Sequence, residues 1–172
     1  MRFVTITSPD VNNGQGNRAT CWISGCGHKC DGCHNKWLQD YLKGNELYLA
    51  KERIWEELSK PYISGITFSG GDPLYQSDDS LDELFELISN IRNDFPEKDI
   101  WLYSGFTLEE LVAEGNKHRL NVLYSCNYFV DGKFMKDKKN VQLPFRGSSN
   151  QHIWRLSGER EFEHVDDEYF QS

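Results

Sequence analysis

The run GITFSGGDP, residues 65–73, is the clearest indication of the fold, because it joins an apolar strand directly to a turn that contains two glycines. Its first half is rich in β-branched and aromatic side chains, which favour an extended strand over residues 65–69. Comparable strand-like runs recur along the chain, at residues 2–7, 20–24, 99–103, 121–130 and 153–156. Segments with helical patterns fall between several of these runs. The sequence therefore predicts an α/β fold with a largely parallel sheet that helices cover.

The helical patterns cover three segments, residues 50–58, 80 to about 96 and 107 to about 115. The second and third segments each begin with a capping box, formed by the pairs Ser80–Glu83 and Thr107–Glu110. In sheets of this kind, ligands bind at the carboxyl ends of the strands, where the loops into the helices lie. We therefore expect the two most unusual loops, after Ser24 and after Ser69, to meet at that edge.

The length of 172 residues suits one domain with a single core, and no repeat or Pro/Gly-rich linker gives a reason to divide it. We expect this domain to cover residues 1–158. Residues 159–172 carry six acidic side chains together with three aromatic ones. This composition predicts a loosely ordered acidic C-terminal tail whose aromatic side chains could contact a partner.

Charge and hydropathy narrow the class of partner. A formal net charge of -8 disfavours nucleic acid, because binding to phosphates depends on Lys and Arg. The one local basic run, Lys136, Lys138 and Lys139, is typical of a solvated turn, and we assign it no function. No apolar run approaches the roughly 18 residues of a membrane span, and the first residues lack the features of a signal peptide. We therefore expect a cytoplasmic protein without a membrane partner, in which five cysteines indicate metal or redox chemistry.

Three cysteines lie close together in the segment GCGHKCDGCHN, residues 25–35, with the spacing C-x3-C-x2-C. A loop this short can bring the thiolates of Cys26, Cys30 and Cys33 to one centre. The glycines at positions 25, 27 and 32 allow the positive φ values that such wrapping requires. Thiolates are the usual ligands of iron–sulfur clusters, and a cubane with three protein ligands keeps one iron open for chemistry. The spacing therefore predicts a catalytic cluster.

Three other interpretations of this loop stay open. A structural zinc ion could use the three cysteines with His28 or His34, although zinc sites normally pair two separate C-x2-C units. Residues 30–34 also spell C-x-x-C-H, the haem attachment motif, which requires an exported protein. A thioredoxin-like Cys30–Cys33 pair normally has no third cysteine close by.

The other two cysteines, Cys21 and Cys126, lie in strand-like apolar runs. A cysteine in such a run is more often a small buried hydrophobe than a ligand, so we expect both in the core. If Cys21 were instead a fourth thiolate, it would close the cluster and make it a plain electron carrier.

Three glycine-containing loops have different predicted roles. Residues 14–19, GQGNRA, match the dinucleotide pattern G-x-G-x-x-A, but the strand-like run that follows excludes the helix that this motif must open. We interpret them as a connecting loop near the cluster. Residues 69–73, SGGDP, are either a tight turn or a backbone edge that binds an amino acid, and a neighbouring open cluster favours the second interpretation. Residues 144–151 have the composition of a turn.

With C-x3-C-x2-C followed by GGDP, the chain resembles the radical S-adenosylmethionine superfamily. It resembles most the family of activating proteins of anaerobic ribonucleoside-triphosphate reductases. Five motifs in order carry this resemblance: GCGHKCDGCHN from residue 25, SGGDPL from 69, DIWLYSG from 99, VDGKF from 130 and RGSSNQ from 146. The chain departs from many superfamily members in having Gly32, Asp72 and His34 where an aromatic residue, Glu and Tyr are frequent.

The resemblance implies a shortened, open (β/α) partial barrel in a single domain. It implies that the metal ligands of a 4Fe-4S cluster are Cys26, Cys30 and Cys33. The methionine part of S-adenosylmethionine would chelate the fourth iron and bind Gly71, in a turn shaped by Ser69, Gly70 and Asp72. The residues around the last cysteine, Gly32, Cys33 and His34, would border the adenine.

The activity that the resemblance implies is reductive cleavage of S-adenosylmethionine. The 5'-deoxyadenosyl radical would take a hydrogen atom from the Cα of a glycine in the partner, the anaerobic reductase. A low-potential donor such as flavodoxin would supply the electron, and both a monomer and a homodimer are compatible with this chemistry. Two rival functions are a radical enzyme acting on a small molecule, such as a pterin or purine precursor, and a non-enzymatic electron carrier or zinc module.

Overall fold

The computed structural model describes residues 1–33 and 35–170. Over these residues the chain folds as one mixed α/β domain. The strands are β1 (Arg2–Asp10), β2 (Arg18–Ile23), β3 (Asn45–Glu46), β4 (Gly65–Gly70), β5 (Asp99–Tyr103), β6 (Tyr128–Asp131), β7 (His152–Leu156) and β8 (Phe162–Val165). The helices are α1 (Lys51–Leu58), α2 (Asp78–Asp94), α3 (Leu108–Glu114) and α4 (Lys117–Tyr124). No described helix has the length and apolar character that crossing a membrane requires.

All eight strands form a single sheet in the order β3-β1-β2-β4-β5-β6-β7-β8. The four central strands β2, β4, β5 and β6 are parallel to one another, whereas the other pairs in the sheet are antiparallel. This confirms the α/β class and the parallel centre. The register pairs Ile23 with Gly70 at the carboxyl ends of β2 and β4. The loops after these two strands therefore start side by side, as predicted.

The four helices pack on one face of the sheet. Strand residues such as Phe68 and Leu102 form the main core there, together with apolar side chains from each helix, Ile54, Leu84, Leu111 and Val122. Because successive strand residues point to opposite faces, the neighbouring side chains face away from the helices. Trp101, Val130, Ile153 and Val165 form a smaller cluster on that second face. Among the described residues, no α-helix packs on this second face.

The predicted strand over residues 121–130 is wrong in its first half. Helix α4 continues to Tyr124, and β6 begins only at Tyr128. The side chain of Asn116 caps α4 by accepting the N–H groups of His118 and Arg119. Val122 then packs into the main core. Tertiary packing and a helix cap therefore override the strand propensity of this run.

The start of α2 also differs from its prediction, whereas α3 agrees. Ser77 caps α2 by accepting the N–H of Ser80, so the predicted Ser80–Glu83 capping box is wrong. Glu83 instead accepts the N-terminal ammonium of Met1 at 2.9 Å. The Thr107–Glu110 capping box is present at α3, which ends at Gly115 in the left-handed conformation.

The C-terminal segment is ordered, so the predicted loose tail is wrong for the described residues up to 170. Strand β8 pairs with β7, and Phe162 stacks on Tyr124 at 5.9 Å. Farther on, Asp167 forms an ion pair of 2.8 Å with Arg146, and the ring of Phe170 lies 5.1 Å from that of Phe145. The last described turn therefore fastens residues 145–146 to the body of the protein.

The loop at residues 14–17 lies at the amino edge of the parallel strands. Strand β2, not a helix, begins at Arg18, which confirms that the dinucleotide pattern is accidental. The carbonyl oxygen of Asn17 accepts the N–H of Ser64, which directly precedes β4. The prediction that this loop lies near the cysteines is therefore wrong, because the cysteine loop follows the opposite end of β2. Residues 11–13, which precede this loop, reach the second face, where the carbonyl oxygen of Asn13 accepts the hydroxyl of Thr67 at 2.6 Å.

Candidate functional site

The three loop cysteines line one cleft of about 130 Å³ at the carboxyl edge of the sheet. All three are partly exposed. The turn after β4 lines the same cleft through Ser69, Gly70, Gly71 and Asp72. The structure therefore brings together seven of the nine residues predicted as ligand contacts. Gly32 is not among the lining residues, and the predicted contact His34 lies outside the described residues.

The path of the cysteine loop depends on three backbone positions. Gly32 has a φ of 71°, as predicted, and Lys29 has a positive φ of 53° without being a glycine. Gly27 is required for a different reason than the predicted one. A Cβ at Gly27 would lie 2.4 Å from the ring of Tyr75, so the absence of a side chain lets the loop approach this aromatic residue.

Burial and neighbouring ionisable groups shift the pKa values of two loop thiols, Cys26 and Cys30. Burial raises the pKa of Cys26 to about 11, while the backbone N–H of His28 donates to its sulfur and opposes the rise. Burial and Cys33 also raise the pKa of Cys30, against the nearby ammonium of Lys133. These thiols are therefore protonated at neutral pH in the metal-free protein. A metal group that binds here must displace their protons.

Asp72 connects the three loops that enclose the cleft. Its buried Oδ2 accepts the hydroxyl of Ser104 at 3.0 Å and the N–H of Gly105 at 2.9 Å, and lies 2.7 Å from His28 Nε2. Its Oδ1 accepts the N–H of Leu74 at 2.8 Å. The cysteine loop, the glycine turn and the loop after β5 are thus held by one carboxylate. Sequence reasoning placed Asp72 in the turn but could not identify these partners.

His28 is already committed to structural contacts. Its ring lies edge-on to Phe106 at 4.6 Å and to Tyr75 at 4.8 Å, with only 5% of the side chain exposed. Cys26, His28 and Asp72 each place one possible ligand atom within 4.8 Å of the others. The close His28–Asp72 contact occupies one ring nitrogen and one carboxylate oxygen of this group, however. A zinc ion at His28 would therefore have to use Nδ1 while Nε2 stays on Asp72, or this contact would have to break.

The glycine turn uses its own N–H groups within the protein. The N–H of Gly71 donates to Ile23, and the N–H of Asp72 donates to Gly25. A Cβ at Gly71 would lie 2.4 Å from the carbonyl oxygen of Gly25 and 2.7 Å from that of Leu38. Close contact with the cysteine loop thus explains the glycine, and a ligand would meet its carbonyl group rather than its N–H.

Gln76 is a positioning residue that the sequence did not reveal. Its amide Nε2 donates to the carbonyl oxygens of Ser24 and Asp72, both at 3.0 Å. It therefore ties the first residue of the cysteine loop to the glycine turn. No sequence motif marks Gln76, because its partners are fixed by the pairing of β2 with β4.

A larger cleft of about 580 Å³ adjoins the cysteine cleft on the second face of the sheet. The two clefts share Cys33, Asn35, Ser69, Tyr103, Phe134 and Gln151. Gln151 holds one wall, because its Oε1 accepts the N–H groups of Gly147 and Ser148. The run at 144–151, predicted only as a turn, is therefore the wall of a cleft that opens onto Cys33.

The two remaining cysteines are core residues, as predicted. Cys21 and Cys126 are both fully buried in the main core. Burial raises the pKa of each thiol to about 12. Neither is among the described residues that line the cysteine cleft. The structure thus separates three cleft thiols from two buried ones.

Comparison with known proteins links this chain to one protein family. Residues 12–154 match the family described as "4Fe-4S single cluster domain". A protein of Pasteurella multocida (strain Pm70) is 35% identical over 160 residues, covering 91% of this chain and 99% of the relative. A protein of Escherichia coli (strain K12) is 39% identical over 150 residues, covering 86% and 94%. One of Enterobacteria phage T4 is 36% identical over 155 residues, covering 90% and 94%.

Each of these three relatives is named "Anaerobic ribonucleoside-triphosphate reductase-activating protein". The match covers the cysteine loop, the glycine turn and the wall of the larger cleft. This chain therefore belongs to the family of anaerobic ribonucleoside-triphosphate reductase-activating proteins, with a 4Fe-4S single cluster domain.

Proposed function

We propose that this chain activates an anaerobic ribonucleoside-triphosphate reductase by generating its glycyl radical through reductive cleavage of S-adenosylmethionine at a 4Fe-4S cluster. One observation carries the proposal: three partly exposed thiols share a cleft with the glycine turn at the carboxyl end of β4. The family names support the protein substrate. The second face of the sheet, which the helices leave uncovered, is compatible with the open partial barrel that we infer for this chemistry.

The donor set of the cleft fits the cluster. Cys26, Cys30 and Cys33 would hold it, because thiolates are the ligands that iron–sulfur clusters use. The acidic and imidazole groups beside them, Asp72 and His28, already contact each other at 2.7 Å. Three protein ligands leave one iron open for a substrate.

The glycine turn and its neighbours would bind S-adenosylmethionine. The carbonyl group of Gly71 would accept the methionine ammonium, in the turn that Ser69, Gly70 and Asp72 shape. Lys133 lines the cleft close to Cys30, and its ammonium would pair with the methionine carboxylate. We assign the border of the adenine to the residues around the last cysteine, Gly32, Cys33 and His34.

When bound, the cluster supplies the electron that cleaves S-adenosylmethionine into methionine and a 5'-deoxyadenosyl radical, which takes a hydrogen atom from a glycine Cα. The residues of this chain orient and shield the reactants. The stacked rings of Tyr75 and Phe106, 5.5 Å apart, back the cysteine loop and exclude water. The larger cleft gives a glycine-bearing segment of the reductase a path to Cys33. We further propose a low-potential donor such as flavodoxin, a cytoplasmic location in keeping with five free cysteines, and either a monomer or a homodimer.

The direct test is anaerobic reconstitution followed by reduction with dithionite in the presence of S-adenosylmethionine. The parent protein should bind iron and release 5'-deoxyadenosine, whereas Cys30→Ala should do neither. Cys126→Ala is the matched control, because it removes a buried thiol from the core and should keep both signals. Electron paramagnetic resonance should then show a glycyl radical when the reductase is added.

Equal release of 5'-deoxyadenosine by Cys30→Ala and the parent would contradict the ligand assignment. About one zinc and no iron per chain would support the structural metal module instead. Cleavage of S-adenosylmethionine without a radical on the reductase would point to a small-molecule substrate.

A further inference from the structure

Six lysines lie in two segments that meet beside the cysteine loop, although the chain as a whole is acidic. We call them the lysine collar: Lys29, Lys36 and Lys43 from residues 26–43, and Lys136, Lys138 and Lys139 from residues 135–140. The two segments contain only three aspartates, so they carry three excess positive charges on a chain with a formal net charge of -8. The basic run of Lys136, Lys138 and Lys139, to which we assigned no function from the sequence, is thus part of a larger group of lysines.

The two halves of the collar meet in the folded protein. A Cβ at Gly32, inside the cysteine loop, would lie 3.4 Å from the side chain of Lys136. Asp31 and Lys136 also line one surface cleft of about 630 Å³. Residues more than 100 positions apart are therefore neighbours directly outside the cysteines.

The collar lysines are all exposed, and the ammonium of Lys43 lies 5.9 Å from the centroid of the Trp37 ring. Among the described residues, the one lysine that forms a salt bridge is Lys60, outside the collar. Three exposed apolar side chains are next to collar lysines in the sequence: Leu42 is 82% exposed, Trp37 45% and Met135 41%. An apolar centre with a charged rim is the usual composition of a protein–protein interface.

The geometry points to the lysine collar as the docking surface of an acidic one-electron donor protein. This inference rests on the proposed function, because it requires a cluster in the cysteine loop. The donor would lose one electron and the cluster would gain it, passing from the 2+ to the 1+ state without transfer of an atom. Charge complementarity steers the encounter, since a basic patch on an acidic protein attracts acidic partners to that patch alone.

The position of the collar favours the electron donor over the reductase. None of the six lysines is among the described residues that line the cysteine cleft or the larger cleft. S-Adenosylmethionine and a glycine-bearing segment can therefore occupy the clefts while the collar stays free. A protein docked on the collar would approach the cluster through the loop that holds it and would leave both clefts open.

The test compares cluster reduction in the reconstituted holoenzyme by two reductants. Photoreduced flavodoxin, an acidic flavoprotein, is the docking probe, and photoexcited deazaflavin is the small reductant. In Lys136→Glu/Lys138→Glu, we expect the second-order rate of cluster bleaching by flavodoxin to fall about tenfold at low ionic strength. The difference should shrink as salt screens the charges. Lys136→Gln/Lys138→Gln should give an intermediate rate, and deazaflavin should reduce every variant equally.

The control is Lys117→Glu/Arg160→Glu, which changes the net charge equally at two exposed positions, on α4 and in the turn between β7 and β8. It should keep the parent rate. Equal slowing of the control would overturn the inference, because only total charge would then matter. An unchanged flavodoxin rate in the collar variant would also overturn it, and loss of reductase binding in that variant would reassign the collar to the protein substrate. Failure of the parent to release 5'-deoxyadenosine with deazaflavin would instead contradict the proposed function.

Discussion

The two edges of the central parallel strands each depend on one buried charged side chain, and they use it differently. At the amino edge, Arg18 donates to Thr67 Oγ1 at 2.8 Å and to the carbonyl oxygens of Ile66 and Asp99 at 2.9 and 3.1 Å. It also forms an ion pair of 2.6 Å with the Asp99 carboxylate. These partners belong to the adjacent strands β4 and β5, so the guanidinium closes the end of the sheet.

At the carboxyl edge, the partners of Asp72 belong to loops rather than strands. The carboxylate contacts His28 of the cysteine loop and accepts from Ser104 and Gly105 after β5. It therefore sets the distance between loops that enclose an open cleft. Substitutions at the amino edge should therefore lower stability, whereas substitutions at the carboxyl edge should weaken binding at the cleft.

The largest expected effect is at the amino edge. Arg18→Ala removes a fully buried guanidinium and leaves the Asp99 carboxylate and several carbonyl oxygens without a donor. We expect the free energy of unfolding to fall by about 3–5 kcal/mol, measured by urea denaturation. Arg18→Lys should lie between, because one ammonium cannot reach all these acceptors. A loss below about 1 kcal/mol would show that the sheet end does not depend on Arg18.

The second largest effect is expected from a substitution at the carboxyl edge. Asp72→Asn keeps the shape, but its amide NH2 must face either the N–H of Leu74 or the donors at Oδ2. We expect a 10- to 100-fold weaker affinity for the metal group, as is typical for residues that orient ligands, measured as iron retained against a chelator. Asp10→Asn is the control at the amino edge, where a buried carboxylate accepts from Asn12 and Thr20. Equal iron loss in both variants would erase the difference between the edges.

A smaller effect separates two glycines. In Gly71→Ala the new Cβ would meet backbone oxygens of Gly25 and Leu38, which cannot rotate away. In Gly16→Ala it would meet the hydroxyl of Ser64 at 2.4 Å, which can rotate, and the Cβ of Ser64 at 2.9 Å, which cannot, and the φ of +82° also strains the residue. For Gly71→Ala we expect the free energy of unfolding to fall by about 1–3 kcal/mol and S-adenosylmethionine to bind more weakly. For Gly16→Ala we expect only a lower Tm. Calorimetry of S-adenosylmethionine binding distinguishes them, and equal binding would contradict the role of Gly71.

The smallest effect is a pH dependence near the amino edge. The Lys60 ammonium lowers the pKa of Glu57, with further help from the Ser8 hydroxyl. Because the folded pKa lies below the unfolded one, the stabilisation is present above the ordinary range of Glu and is lost as pH falls through the folded pKa. Glu57→Gln should therefore be less stable than the parent at pH 7 and approach it as the pH falls below the ordinary range of Glu. A constant difference across urea titrations at several pH values would contradict this origin.

Local sequence signals predicted the parts of the site that depend on neighbours in the chain. The cysteine spacing placed Cys26, Cys30 and Cys33 in one cleft, and Thr107 with Glu110 predicted the cap of α3. Both rely on contacts within a few residues. Such features therefore depend little on how the rest of the chain folds.

Contacts that span the fold were not predictable. The role of Gln76 depends on the register of β2 with β4, and the pairing of Glu83 with the N-terminus depends on how α2 packs. Strand propensity likewise predicted the wrong state for residues 121–124, because helix packing supplied more burial there. These features depend on contacts that form only when the sheet assembles, so no local sequence pattern predicts them.

The fastening of residues 145–146 by the last described turn has a practical consequence. One wall of the larger cleft is held through Asp167 and Phe170, some twenty residues downstream of the wall itself. The width of the entrance that we assign to the reductase can therefore be tuned from the far end of the chain. Variation or truncation there would act as a remote adjustment of which protein surfaces can enter, without altering a single residue of the cysteine cleft.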